Sequence, residues 1–585
     1  MKTLALIVAA GCLAACQAET PPAAEPTDAA AAPSPAAAMN DIADRYYAWT
    51  LDRFPEQAYF AAVELDRHDG MLDNSPAALA AARAVEDELL EAVQAIDADD
   101  LVGKPEWVAK ALLEQELRSS VARRVCREEL WNISQMSGWH LGYSQLATLQ
   151  PVDTPELREQ ALLRWAKFPA FVDQEVANLK SGVEQGYTVP KAVAQRVINQ
   201  IDGLLALPTE SSPFYSPATR ADDEAFAASL RDIVENGIVP ALQRARDYLA
   251  DEYLTVARDE LSITAIPSGA ACYEAMLRSY TTIDRSGRGV YELGQQTVEA
   301  NKAGVIELGR AAYETEDFSE ILERARNDPS DRFASRRELL EFSRAMVERA
   351  AAEMPNWVGK MPEQAVAVVP FEEHEEGTGR SAHYNPGNDE RPGEYRIPLD
   401  KPEEQSRGGA ETVAFHEAWP GHHLQVATFQ AREGMHPVTS LIWFSGPGEG
   451  WARYSEALAE EMGLYESVTG PITRRAWPAR GMVVDPGIHL FGWTREQARD
   501  YMNESGRFPE SMGDDMVDRI AILPGQLTAY DSGGLEILAL RRQAEAALGD
   551  DFDIREFHDR VLENGTIPLG YLRQHIEAWI AEKQR

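Results

Sequence analysis

Cysteine is scarce in this chain, with four in 585 residues. No CxxC or CxxH pair occurs, which excludes a cysteine-ligated zinc finger or ribbon. Positive charge is also short. Lys and Arg number 56 against 95 Asp and Glu, for a formal net charge of -39. Meeting nucleic-acid phosphates needs a Lys/Arg surplus, so a nucleic-acid partner is excluded. The apolar stretch Leu4–Leu13 is too short to persist as a membrane-spanning helix. No Walker loop and no GxGxxG fingerprint is present, which removes the common phosphate cradles. Tyr530-Asp531-Ser532-Gly533-Gly534 falls short of a nucleophile elbow, because Tyr530 stands where the first Gly belongs. His374-Glu375 has no second His in helical register and reads as a charged loop. The remainder, 44% hydrophobic and 26% charged, is ordinary globular composition, long enough for one large core or two lobes.

The N-terminus carries a positional signal. Lys2 precedes the apolar stretch, and Leu13-Ala14-Ala15-Cys16 follows it. A small-residue cleavage pattern set directly against a cysteine matches a bacterial lipobox. It predicts a signal peptide over 1–15, lipid on Cys16 and a membrane contact made through that lipid alone. Gln17 after the cysteine, in place of Asp, points to the outer membrane facing the periplasm. Residues 16–38 are mostly Ala, Pro, Glu and Thr and read as a disordered tether. Cys126 and Cys272 then remain, either as one disulfide or as two buried thiols.

From Met39 the pattern becomes helical. Apolar residues recur at helical spacing over 76–98, 104–134, 155–185, 222–255, 289–313 and 334–354, so 39–360 reads as a helical lobe. The next part, 361–585, reads as a second lobe that opens with β structure. Ala365–Val369 forms a strand, and the turn-rich stretch 385–393 separates two short segments into a hairpin. Helices return over 409–431, 447–464, 494–504, 513–548 and 553–562. The fold class is therefore mainly α, with a small hairpin or sheet whose edge offers a place for an extended peptide.

The strongest chemical signal is Phe415-His416-Glu417-Ala418-Trp419-Pro420-Gly421-His422-His423, which holds three of the eleven histidines. The common zinc helix, HExxH, places two His four apart with a Glu to activate water. Here the fourth position is Pro420. His422 and His423, six and seven residues on, are the candidates for the second ligand. A seven-residue step returns to the same helix face but rises about 10 Å, too far for two rings to share one ion. Pro420 and Gly421 predict a break that shortens this step. Either His can then face His416, with the Gly-His pair favouring His422. Downstream, Glu449, Arg453 and Glu456 fall on one helix face. Glu449 supplies the third ligand of a single Zn²⁺, while Arg453 and Glu456 orient the ligands from behind.

These residues resemble the bacterial family called domain of unknown function 885. Ser279-Tyr280-Thr281-Thr282, Asp485-Pro486-Gly487-Ile488-His489-Leu490-Phe491-Gly492-Trp493-Thr494 and Pro524-Gly525-Gln526-Leu527-Thr528-Ala529-Tyr530 extend the likeness over nearly all of the folded region. The Glu449/Arg453/Glu456 spacing is similar to the third-ligand helix of the carboxypeptidase Taq and thimet oligopeptidase families. The resemblance implies a two-lobed helical fold with a deep cleft and zinc at its floor. The family's substrate is not established, so the resemblance supports the site more than a reaction; the site itself leads us to expect a metallopeptidase-like hydrolase of a peptide or peptide-like substrate in the envelope. Within it, Glu417 is the general base, and His489 and Tyr530, both in family-like motifs, are the candidate donors to an oxyanion. Arg519 is a weaker candidate for binding a peptide carboxylate. Tyr291 departs from the family pattern, where His is expected. A lipoprotein that captures peptides or metal in the same cleft without catalysis is the competing expectation.

Overall fold

Capping residues and prolines start the helices, and those expected over 155–185, 289–313 and 334–354 begin within two residues of the expected bounds. In the computed structural model, which describes residues 33–585 apart from 62, 373–375, 377–379, 389 and 507–511, Ser34 accepts the Ala37 N–H and Pro35 opens α1 (Pro35–Arg53). Thr154 caps α2 (Pro155–Glu184), Ser286 caps α3 (Gly287–Tyr313) and Ser335 caps α4 (Arg336–Glu353) in the same way. The signal peptide, Cys16 and His374-Glu375 lie outside the described residues. The tether boundary at residue 38 needs correction, because α1 begins at Pro35. Ala36–Ala38 are strong helix formers behind a good cap, and Met39 on the same helix is fully buried.

The β structure is a three-stranded sheet of order β1-β3-β2, built from β1 (Val366–Pro370), β2 (His383–Asn385) and β3 (Gly393–Ile397). β1 runs parallel to β3, pairing Val366 with Gly393. β2 is antiparallel to β3, pairing His383 with Arg396. Two helical stretches are broken, 409–431 at the place Pro420 and Gly421 predict and 513–548 where no break is expected. The first divides into α5 (Arg407–Glu417) and α6 (His422–Gln430). The chain then forms α7 (Ser445–Glu461) and α8 (Arg480–Phe491). The second broken stretch divides into α9 (Met512–Ile522) and α10 (Ala529–Leu548), turning at Gly525 with φ +85°.

The apolar cores do not divide near residue 360. One core joins Met39–Leu117 and Phe333–Val358 to the sheet, to α5, α6 and α7 and to the C-terminal helices. A second joins Cys126–Val298 to Ala479, Met482, Val483 and Ile522. The expected lobes 39–360 and 361–585 are therefore interleaved in packing. The N-terminal helices bury their apolar faces against the metal-site half of the chain, which a linear reading of composition does not register. Cys126 and Cys272 form a disulfide across 146 residues, tying the turn at 124–126 to the helix Gly269–Thr281. No described helix is long and apolar enough to cross a membrane.

Candidate metal centre

The break between α5 and α6 creates the site. Four residues, Ala418–Gly421, leave the helix, and the Trp419–Pro420 bond is cis. A Cβ on Gly421 would fall 1.8 Å from the His416 carbonyl oxygen, so the return of the chain requires glycine there. The carbonyls released by the break are satisfied by α7. The Trp451 indole N–H donates to the Pro420 and Gly421 oxygens at 2.9 and 3.2 Å, and the Ser455 hydroxyl donates to the Pro420 oxygen at 3.2 Å. One helix thus fixes the kink and carries Glu449.

α7 is held in turn by close packing on α10. A Cβ on Gly450 would lie 2.6 Å from the Gly533 backbone, and one on Gly533 would lie 1.9 Å from the Gly446 oxygen. Bare backbone on both sides lets the helices approach closely enough to set Glu449 opposite the histidines.

His416 Nε2 and His422 Nε2 each lie 3.4 Å from Glu449 Oε2. One ligand atom from each of the three residues falls within 4.8 Å of the others. The two rings are 4.9 Å apart and nearly perpendicular. Glu449 Oε2 is buried without a partner of hydrogen-bond geometry among the described residues. Two imidazole nitrogens and a carboxylate oxygen aimed at one point fit a zinc ion with an open fourth position. His416 feels opposing influences. Burial disfavours its charged form, but Glu449 and Glu456 more than offset this and raise it to about 10. Burial likewise opposes ionisation of Glu449, yet the two imidazoles hold its carboxyl well below the usual range. The donor set therefore favours a cation at its centre.

Behind the ligands, His416 Nδ1 meets Glu456 Oε1 at 2.9 Å. Arg453 donates to both Glu456 oxygens at 2.8 Å and pairs with Asp531 at 3.0 Å. This carboxylate–imidazole pair fixes the ring so that Nε2 faces inward. Asp531, from α10, is a member that sequence reasoning missed. It sits 78 positions from Arg453, and only packing brings the two together.

His423 is not part of the cluster. It is fully buried, with Nδ1 3.0 Å from the Tyr384 hydroxyl and Nε2 3.0 Å from the Gln364 carbonyl. Burial lowers it to about 4. Because α6 begins at His422, His423 is turned by about 100° and faces the sheet instead. Glu417 is buried beside the ligands and accepts the Tyr384 backbone N–H; burial raises its pKa above the ordinary glutamate value. Tyr530 lines the same cleft, with its hydroxyl 3.4 Å from Arg519 Nη2.

His489 requires correction as an oxyanion donor. Both its nitrogens are engaged inside the core. Nδ1 accepts the Ile263 N–H at 3.1 Å and Nε2 lies 3.1 Å from the Ile520 carbonyl. Burial lowers it to about 3, so it stays neutral, and it is absent from the cleft lining. Tyr291 also lies off the cleft, packed on Phe491 with ring centroids 4.4 Å apart.

The cleft above the cluster encloses about 840 Å³ and is walled by the sheet on one side and by α9 and the start of α10 on the other. Comparison with known proteins places this architecture. The structure is similar to that of a predicted lipoprotein from Colwellia psychrerythraea, with a TM-score of 0.84 at 23% identity over 94% of this chain and 100% of that one. It is also similar to a predicted lipoprotein of unknown function from Shewanella oneidensis, with a TM-score of 0.76 at 19% identity over 93% of this chain and 99% of that one. At such identities the likeness shows a shared fold alone. No curated protein matches the sequence. The profile of the bacterial proteins of unknown function DUF885 matches residues 55–576, and the chain belongs to that family.

Proposed function

We propose that the protein is a zinc-dependent hydrolase of peptides or related amides, anchored in the bacterial envelope through lipid on Cys16. The observation that carries this reading is the convergence of His416 Nε2, His422 Nε2 and Glu449 Oε2 beside the buried carboxyl of Glu417. His416, His422 and Glu449 would hold the ion. Zinc, when bound, supplies Lewis-acid polarisation of a carbonyl and a more acidic water. Glu417 takes a proton from the attacking water and returns it to the leaving nitrogen. Its raised proton affinity suits both transfers, and the Tyr384 N–H keeps the carboxyl oriented. Glu456 and Arg453 hold His416 in the ligating orientation. Tyr530 is the remaining donor for an oxyanion, since its hydroxyl reaches the cleft and His489 does not.

An envelope location is supported by the Leu13-Ala14-Ala15-Cys16 motif, by the Cys126–Cys272 disulfide and by two structural relatives that are predicted lipoproteins. Gln17 favours the outer membrane facing the periplasm. Zinc content together with turnover of a mixed peptide library tests the proposal. Stoichiometric zinc and cut peptides are expected; peptides retained intact by zinc-loaded protein would instead make it a binding protein.

A further inference from the structure

We propose that Arg519 is the receptor for a free carboxylate, which makes the substrates peptides cut at the bond before an apolar carboxy-terminal residue. This rests on the hydrolase reading above and specifies its substrate.

Two arginines line the cleft among the described residues, Arg453 and Arg519. Arg453 is engaged by Glu456 and Asp531 and carries no spare charge. Arg519 differs. Its Nη2 donates to the neutral Gln526 side chain at 2.7 Å and lies 3.4 Å from the Tyr530 hydroxyl. Its Nε is buried without a hydrogen-bond partner among the described residues. A guanidinium held by neutral groups alone keeps its full charge for an anion from outside. In a chain with net charge -39, that leaves a single uncompensated cation among the described cleft residues.

The surroundings say what the anion is attached to. Met512, Met516 and Arg519 recur at i, i+4 and i+7 on α9, and all three line the cleft. Val517 and Ile520 turn to the core, while Asp515 and Asp518 are neutralised by Arg196 and Arg495. Trp477 and Leu527 line the same cleft and belong to the apolar cluster against which Met516 and Tyr530 pack. A cation against methionine, leucine and tryptophan fits an amino acid with a carboxylate and an apolar side chain better than a phosphate or a sugar. Tyr530 links this pocket to the metal centre, because it touches Arg519 and also feels the charge of Glu449. A terminal residue seated here puts its own amide nitrogen toward the cluster. Hydrolysis then breaks that C–N bond. Water gives its oxygen to the carbonyl carbon and a proton to the released amino acid.

The test uses one peptide ending in leucine, prepared as the free acid and as the carboxamide. Binding is measured by calorimetry on zinc-loaded Glu417→Gln protein and cleavage on the wild type. The free acid is expected to bind and to be cut about 10- to 100-fold better than the amide. Arg519→Met should reduce the acid to the level of the amide, and Arg519→Lys should restore part of the difference, since it keeps the charge without the fork. If Arg519→Met does not fold, the wild-type contrast and the lysine variant still decide. Equal treatment of acid and amide by the wild type, or a preference that survives Arg519→Met, overturns the assignment of Arg519 while leaving the hydrolase reading intact. Absence of all cleavage with an Arg519-dependent binding preference has the opposite meaning: the carboxylate site stands and the hydrolase reading fails.

Discussion

Two stretches of this protein read alike, and they are built for different ends. Trp419-Pro420-Gly421-His422 and Asp485-Pro486-Gly487-Ile488-His489 both place Pro-Gly shortly before a histidine. In the first the helix stops, and α7 takes up the freed carbonyls. In the second α8 runs on through Pro486, and His489 is fastened at both nitrogens to backbone. His489 is fully buried and the His422 side chain is 12% exposed, so deep burial does not mark the functional one. The distinction is the state of the ring nitrogens. His422 Nε2 looks toward a Glu449 oxygen that faces His416 Nε2 as well and makes no hydrogen bond among the described residues, whereas both nitrogens of His489 are taken by backbone.

The largest effect that would break this contrast concerns the ligands. His422→Ala should abolish stoichiometric zinc binding, while His423→Ala should retain the metal and lose the packing and the hydrogen bonds to Tyr384 and Gln364, as metal analysis of the two purified variants will show. Glu417→Gln comes next. It should keep full zinc and lower peptide hydrolysis by about 10²- to 10⁴-fold. A fully active variant would remove Glu417 from the proposed chemistry.

The structural stretch has its own signature in pH. Asp485 is fully buried and receives hydrogen bonds from the Tyr273 hydroxyl and the Gly525 N–H. Burial raises it to about 7, against the lowering by those bonds. Its folded-state value thus exceeds its unfolded value, so its stabilising contribution is complete below about pH 4 and is lost as pH rises through 7, by up to about 4 kcal/mol. Thermal melts from pH 5 to 8 should fall in the wild type, and Asp485→Asn should flatten that fall without changing zinc content. The smallest effect is expected behind the metal. Glu456→Gln should weaken zinc by about 10- to 100-fold in a competition titration, because His416 loses the carboxylate that orients it.

Much of the fold was legible because its signals are local. Thr154-Pro155 and Ser286-Gly287 begin helices at the predicted places, and Pro420-Gly421 announces the break. The choice between His422 and His423 was less accessible. It depends on which residue restarts the helix, and that is fixed by Trp451 and Ser455 from another element. Asp531 and Gly533 carried no local sign of their roles. The stretch Tyr530–Gly534 is no nucleophile elbow, yet it supplies the partner of Arg453 and the bare backbone against which α7 packs. His489 was misread because a family-like motif is compatible with either chemistry or packing. The interleaved cores were hidden for the same reason, since long-range contacts leave no periodicity.

The central claim is that His416, His422 and Glu449 form one metal centre. Zinc-edge anomalous diffraction from crystals of the purified protein tests it most directly. The expected result is a single peak about 2.0–2.2 Å from His416 Nε2, His422 Nε2 and a Glu449 oxygen. A peak elsewhere, or none at this point in zinc-soaked crystals, would contradict it.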